Sequence, residues 1–132
     1  MPVDRLRLNE TGRSQLVTLR RRTGLPTWAV ICRLALCRSL AEPTIPPQVP
    51  LRCDSNVEID WRTFAGAHGD VLWGMLTLRC HRDGLPLDEE AIATQLGLHV
   101  HRGLGYLVGD PTLKTIADLA ALASCALEGQ AT

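Results

Sequence analysis

The sequence predicts a mainly α, compact helical domain with a short N-terminal strand. Three observations point there. Apolar residues recur at helical spacing through most of the chain, Gly and Pro stand where those segments should end, and strand-like alternation is confined to residues 4–8 and 57–61. At 132 residues, 45% hydrophobic and 21% charged, the chain suits one domain spanning 1–132 with a core of its own.

Residues 4–41 read as a basic strand–helix–helix segment with a ribbon-helix-helix-like layout. In Asp4-Arg-Leu-Arg-Leu8, Arg5 and Arg7 fall on one face of a strand and Leu6 and Leu8 on the other, because strand side chains alternate. Asn9 is placed to cap a helix, Glu10 suits its first turn, and Gly24 stops it after Thr23. Leu16 and Leu19 share its apolar face, with Arg13, Arg20 and Arg21 directed away. A second helix begins at Pro26 or Thr27, where proline tolerates the first turn and threonine caps, and ends before Pro43. It is apolar on most sides, which predicts a buried central helix.

Residues 42–56 hold Pro43, Pro46, Pro47 and Pro50 and read as a surface loop. The remainder, 57–128, is expected to be mainly helical. Val57 to Phe64 contains an alternating, extended stretch that Gly66 and Gly69 interrupt. A third helix should run from about Asp70 to Asp83, stopped by Gly84-Leu-Pro86. Asp88 caps a fourth, with a far end obscured by Gly97, Gly103 and Gly105, and Thr112 is placed to cap a last helix through Leu127.

The formal net charge is zero, but it is unevenly distributed. Residues 1–40 carry eight arginines against two acids, a surplus of six positive charges; residues 41–132 carry six basic residues against twelve acids, a deficit of six. Such a split predicts a basic surface for an anionic partner, or subunits that meet basic face to acidic face. The five cysteines are odd in number and none form C-x-x-C, which argues for reduced, mostly buried thiols in a cytoplasmic protein. No apolar run has the length of a membrane span, and no signal-peptide core follows Met1. His68, His81, His99 and His101 have no spacing to each other or to the cysteines that makes a metal site. Phosphate-binding glycine loops and Gly-x-Ser-x-Gly are missing as well, so no catalytic residue, cofactor or metal is expected.

A short basic–apolar strand followed by two helices is the layout of a ribbon-helix-helix unit. There, two chains pair their strands and the ribbon enters the DNA major groove. Arg5 and Arg7 would face the DNA, Leu6 and Leu8 the dimer core, and the start of helix two at Thr27 would offer backbone N–H groups to a phosphate. An ordinary N-terminal strand and helical hairpin reads the same way. Arg20, Arg21 and Arg22 either complement their helix's C-terminal dipole or contact phosphates. Oligomer formation is expected, because the apolar second helix and the strand bearing Leu6 and Leu8 need cover.

Arg5-Leu-Arg-Leu8, Gln15-Leu-Val-Thr-Leu19, Arg22-Thr-Gly-Leu25 and Cys32-Arg-Leu-Ala-Leu-Cys-Arg-Ser-Leu40 with Glu42-Pro43 resemble the DndE family of bacterial DNA phosphorothioation proteins. Glu58-Ile59 to Gly66, Arg79-Cys80, Asp83-Gly84-Leu85 and His101-Arg102-Gly103 extend the resemblance over nearly the whole chain. It implies a small, mostly helical, accessory protein that binds duplex or nicked DNA through its backbone. It also implies tetrameric assembly and partners that mobilise sulfur and place it on a phosphate. The DNA-binding residues it points to are Arg13, Arg20, Arg21 and Arg22. To these the strand adds Arg5 and Arg7, unless a tetramer hides them, and the second helix adds Thr27. The alternative is a ribbon-helix-helix repressor or a protein-interaction subunit. A repressor should prefer one operator, whereas backbone binding should ignore base order and depend steeply on salt.

Overall fold

The computed structural model describes residues 5–110, apart from Pro26 and Cys53. The order is β1 (Arg5–Arg7), α1 (Glu10–Thr23), α2 (Trp28–Ala41), β2 (Glu58–Asp60), α3 (Trp61–Ala65), a 3-10 turn (Gly66–His68), α4 (Gly69–Arg82) and α5 (Glu89–Gly109). The predicted class holds: the described chain is mainly helical, with a short N-terminal strand in a strand pair. The helix expected from Thr112 lies outside the described residues.

The two N-terminal helices follow their local signals. Asn9 accepts a hydrogen bond from the Gly12 N–H at 2.7 Å, and Gly24 closes α1 in the left-handed conformation, φ 72°. Helix α2 is central, packing against α1, α3 and α5. It runs antiparallel to α5, since Ala35 meets Gly103 while Ser39 meets His99. The core is built from Leu16, Leu19, Ile31, Leu36, Leu96 and Leu104 with their neighbours.

Three long-range features depart from the sequence expectations. First, β1 pairs antiparallel with β2 of its own chain, with Leu6 opposite Ile59. Leu6 and Leu8 are 3% and 0% exposed, so the cover that a second chain was expected to supply comes from within. The Leu8 N–H donates to the Val57 carbonyl, and the Ser55 hydroxyl donates to the Leu8 carbonyl at 2.6 Å. Second, the extended stretch stops at Asp60, whose carboxylate accepts the Thr63 N–H at 2.7 Å and starts α3. That turn buries Trp61 and Phe64, with Trp73 edge-on to Trp61 at 5.6 Å. Gly66, expected to interrupt an extended stretch, instead ends α3 at φ 63°, and Gly69 opens α4 and breaks nothing. Third, α5 continues unbroken for 21 residues through Gly97, Gly103 and Gly105. A Cβ on Gly103 would fall inside the Ala35 carbonyl, so this glycine serves the close crossing of α2 and α5.

Helix α2 ends without a glycine cap. Its last carbonyls are held from other helices. Arg79 of α4, 6% exposed, donates to the carbonyls of Leu40 (2.9 Å), Glu42 (2.6 Å) and Thr44 (2.7 Å) and pairs with Asp83 at 2.9 Å. Arg102 of α5 donates to the Ser39 carbonyl and hydroxyl, each at 2.8 Å, and to the Thr44 carbonyl at 2.8 Å. These two side chains satisfy the orphan acceptors of the helix end and fasten the start of the Pro-rich loop.

Candidate nucleic-acid interface

The densest positive charge sits where α1 turns into α2. Arg20, Arg21 and Arg22 occupy the last turn of α1 and are all exposed. The left-handed Gly24 reverses the chain, so the start of α2 lies beside this turn. Arg20 places its guanidinium 5.9 Å from the centre of the Trp28 ring. Arg22 donates to the Val108 carbonyl at 2.9 Å, complementing the C-terminal end of α5 and not that of its own helix. Among the described residues, Arg13 and Arg21 have no ion-pair partner.

The two helix starts differ electrically. At α1, Asn9 caps and Asp54 accepts the Glu10 N–H, so acid surrounds the positive helix end. At α2, Thr27 stands at the cap position with extended dihedrals, but its side chain makes no capping hydrogen bond, and the first turn holds no acid. The N–H groups of that turn and their dipole are therefore left for another acceptor. A groove of about 420 Å³ opens there between Arg20, Thr27 and Trp28 on one side and Glu58, Asp60 and Thr63 on the other. The Trp28 indole N–H is buried and has no partner among the described residues.

Arg5 and Arg7 are brought to a different surface. Both lie on the exposed face of the β1–β2 ribbon and share Glu58, at 2.9 and 3.3 Å. Asp60 stands opposite Arg5, its carboxyl held below the usual range by its hydrogen bonds with Thr63 and, more weakly, by Arg62 and Arg5. Of the seven residues singled out from sequence, the structure thus gathers Arg20, Arg21, Arg22 and Thr27 at one corner. Arg13 lies two turns down α1 from Arg20, and Arg5 and Arg7 sit on a partly neutralised ribbon.

Sequence reasoning left the roles of His99 and Arg102 open and missed Arg79. No local pattern marks them, although Arg79 and Asp83 stand at the i, i+4 spacing of a helix ion pair. His99 is 0% exposed. Ser39 Oγ accepts from Arg102 and shares a hydrogen bond of 2.8 Å with His99 Nδ1. Burial, then the charges of Arg102 and Arg79, push the His99 pKa down to about 4 from 6.5. His101 is lowered too, by burial, and its Nε2 accepts the Asn9 N–H at 3.2 Å. The unfolded chain therefore takes up protons that the fold refuses. The contribution of His99 to stability is complete above pH 6.5 and is lost as the pH falls toward about 4. We expect denaturant midpoints to fall over this window, by an amount equivalent to about 3 kcal/mol from His99 alone. His99→Asn should flatten that slope, and equal slopes for variant and wild type would disprove the assignment.

No group of three His, Cys, Asp or Glu among the described residues is placed to hold a metal, and no described helix is long and apolar enough to cross a membrane.

A helical hairpin with an arginine-rich corner, packed on a long helix and closed by a two-stranded ribbon, makes this a small helical domain with one basic corner. A family model described as DNA sulphur modification protein DndE matches residues 5–115. The chain belongs to the DndE family. The crystal structure of DndE from Escherichia coli B7A, involved in DNA phosphorothioation modification, is similar to it with a TM-score of 0.68 at 24% identity, over 81% of this chain and 98% of that one. A solved glycine-to-lysine mutant of DndE, involved in DNA phosphorothioation, has a TM-score of 0.64 at 21% identity, over 82% of this chain and 99% of that one. At this identity the two structures speak for the fold. No curated protein matches the chain.

Proposed function

We propose that this DndE-family chain is the accessory DNA-binding component of its phosphorothioation system, gripping duplex or nicked DNA by the backbone without transferring sulfur itself. One observation carries the reading: an arginine-rich helix end stands beside a second helix start that has no side-chain cap and no acid in its first turn. Phosphates suit that corner, because backbone N–H groups, a helix dipole and guanidinium groups converge there. Arg13, Arg20, Arg21, Arg22 and Thr27 form the contact set. Arg5 and Arg7 contribute less, because Glu58 already pairs with both. Closure of the ribbon within one chain removes the support for a groove-reading repressor.

The three described thiols favour a non-catalytic role. Burial pushes the Cys32 thiol up to about 12, and burial raises Cys37 and Cys80 as well. A sulfur carrier needs the opposite, a thiol that ionises readily. In this reading the protein is cytoplasmic, assembles as a homo-oligomer, with a tetramer favoured, and works with the other proteins of the system that mobilise and insert sulfur.

The test is affinity across a salt series on two unrelated duplexes, intact and nicked, for wild type and for Arg20→Ala/Arg21→Ala/Arg22→Ala. The variant should bind every duplex more weakly by a similar factor. Its log–log salt slope should flatten by about 0.9 per lost phosphate contact. Loss on one sequence only would mean that the arginines read bases. An unchanged affinity and slope would move the DNA surface elsewhere.

A further inference from the structure

We propose that the depression at the end of α1, beside the start of α2, seats the sulfur of a phosphorothioate linkage, so that this corner holds sulfur-modified DNA backbone more tightly than ordinary backbone. This rests on the DNA-binding reading above and names the chemical form of backbone that suits the corner best.

The depression is lined by Val17, Arg20, Arg21, Gly24 and Leu25. Residues 17, 20, 21 and 24 follow at i, i+3, i+4 and i+7 and share one face of the helix end. Val17 is 42% exposed, one turn before the two arginines. Gly24 puts no side chain over the depression, and nothing lies within 4 Å of a Cβ built on it. Leu25 packs against the core. The lining is therefore hydrocarbon with two arginines beside it.

A lone exposed valine on a protein surface needs no explanation. Val17, however, stands among residues proposed to hold phosphate, and the needs of that ligand change when sulfur replaces a non-bridging oxygen. The diester keeps its single negative charge. The sulfur is larger, more polarisable and a weaker hydrogen-bond acceptor than the oxygen it replaces. A site made of donors alone loses by the exchange, because sulfur leaves them poorly satisfied. A site gains if it offers cations for the charge, apolar surface for the sulfur and donors for the oxygen that remains.

Arg20 joins these kinds of surface. It borders the depression and also the groove that holds Thr27 and Trp28 at the start of α2. The first turn of α2 has no side-chain cap and no acid, so its N–H groups are the donors there. A linkage lying across Arg20 meets N–H groups on one side and Val17 and Leu25 on the other. The two non-bridging positions are then unlike, and sulfur fits the one that faces hydrocarbon. The corner therefore distinguishes the two phosphorothioate stereoisomers as well as sulfur from oxygen.

The test compares three synthetic duplexes of one sequence at one salt concentration: all phosphodiester, and a single linkage carrying sulfur in the Rp or in the Sp form. The full chain should bind one isomer about three- to tenfold more tightly than phosphodiester, the scale of one methylene-sized apolar contact. The other isomer should gain nothing, whereas general stickiness of sulfur would raise both alike. Val17→Thr has the same shape but places a hydroxyl in the seat, and it should bring the ratio of affinities close to one. Val17→Ile should keep the ratio. Arg20→Ala/Arg21→Ala should weaken binding to all three duplexes. Equal wild-type affinity for all three would overturn this inference and leave the DNA-binding reading standing, and that comparison needs no variant to fold. A chain that binds none of them would overturn both. A preference for both isomers alike, or one that survives Val17→Thr, would show that sulfur is not held in this seat.

Discussion

Gly103→Ala is expected to remove a large share of the stability of this protein. At the crossing of α2 and α5, the space a Cβ would need is taken by the Ala35 carbonyl group and Cα, which are backbone atoms of a helix. No rotamer change relieves such a clash. The helices have to move apart, and the separation spreads to Leu36, Leu96, Val100 and Leu104 and to the Ser39–His99 hydrogen bond. Overpacking of this kind costs about 3 kcal/mol or more, out of the roughly 5–15 kcal/mol typical of a domain. Gly105→Ala is the control on the same helix, because its Cβ would meet only Gln15 Nε2, at 3.8 Å. That change should be neutral or should stabilise by up to ~1 kcal/mol through helix propensity. Urea denaturation of both variants measures the difference; a Gly103→Ala midpoint close to wild type would show that the crossing is looser than the structure places it.

The second large effect is expected at Arg79. Its guanidinium holds three carbonyls and the Asp83 carboxylate with almost no access to water. Asp83→Ala leaves that charge buried without its counter-ion, a loss of roughly 3–5 kcal/mol. Arg79→Met removes the charge and also the donors to the carbonyls of Leu40 and Glu42, while the Thr44 carbonyl keeps Arg102, and each acceptor so orphaned costs ~1–3 kcal/mol. Lysine does not rescue, because one ammonium cannot reproduce the planar fork. The same substitutions should release the Pro-rich loop, read as faster proteolysis within residues 43–50. Unaltered denaturation and proteolysis in Arg79→Met would mean that the loop is held by other contacts.

Some features of this protein were written locally and could be read without a structure. The cap at Asn9, the stop at Gly24, the cap at Asp88 and the apolar second helix depend on residues a few positions apart, and each element formed where the local chemistry placed it. The crowding of arginine into the first forty residues is likewise a property of composition, and it marked the corner now proposed to meet DNA. The family resemblance spread over the whole chain and agrees with the matched residues 5–115.

Tertiary structure decided which of several equivalent local readings came true. A strand of alternating Arg and Leu needs a partner, and nothing in residues 4–8 says whether that partner is a second chain or residues 58–60. The answer depended on where α1, α2 and the Pro-rich loop return the backbone. A glycine in a helical stretch is compatible with a break, a bend or a close crossing, and only the position of Ala35 made Gly103 the last of these. Arg79 and Arg102 look like surface residues in the sequence but point inward, because the carbonyls they satisfy are about forty to sixty residues away in the chain. Alternation, capping and charge density act over one or two turns and so determined the elements. Pairing, burial and charge neutralisation act between elements, and they were decided only when the fold brought those elements together.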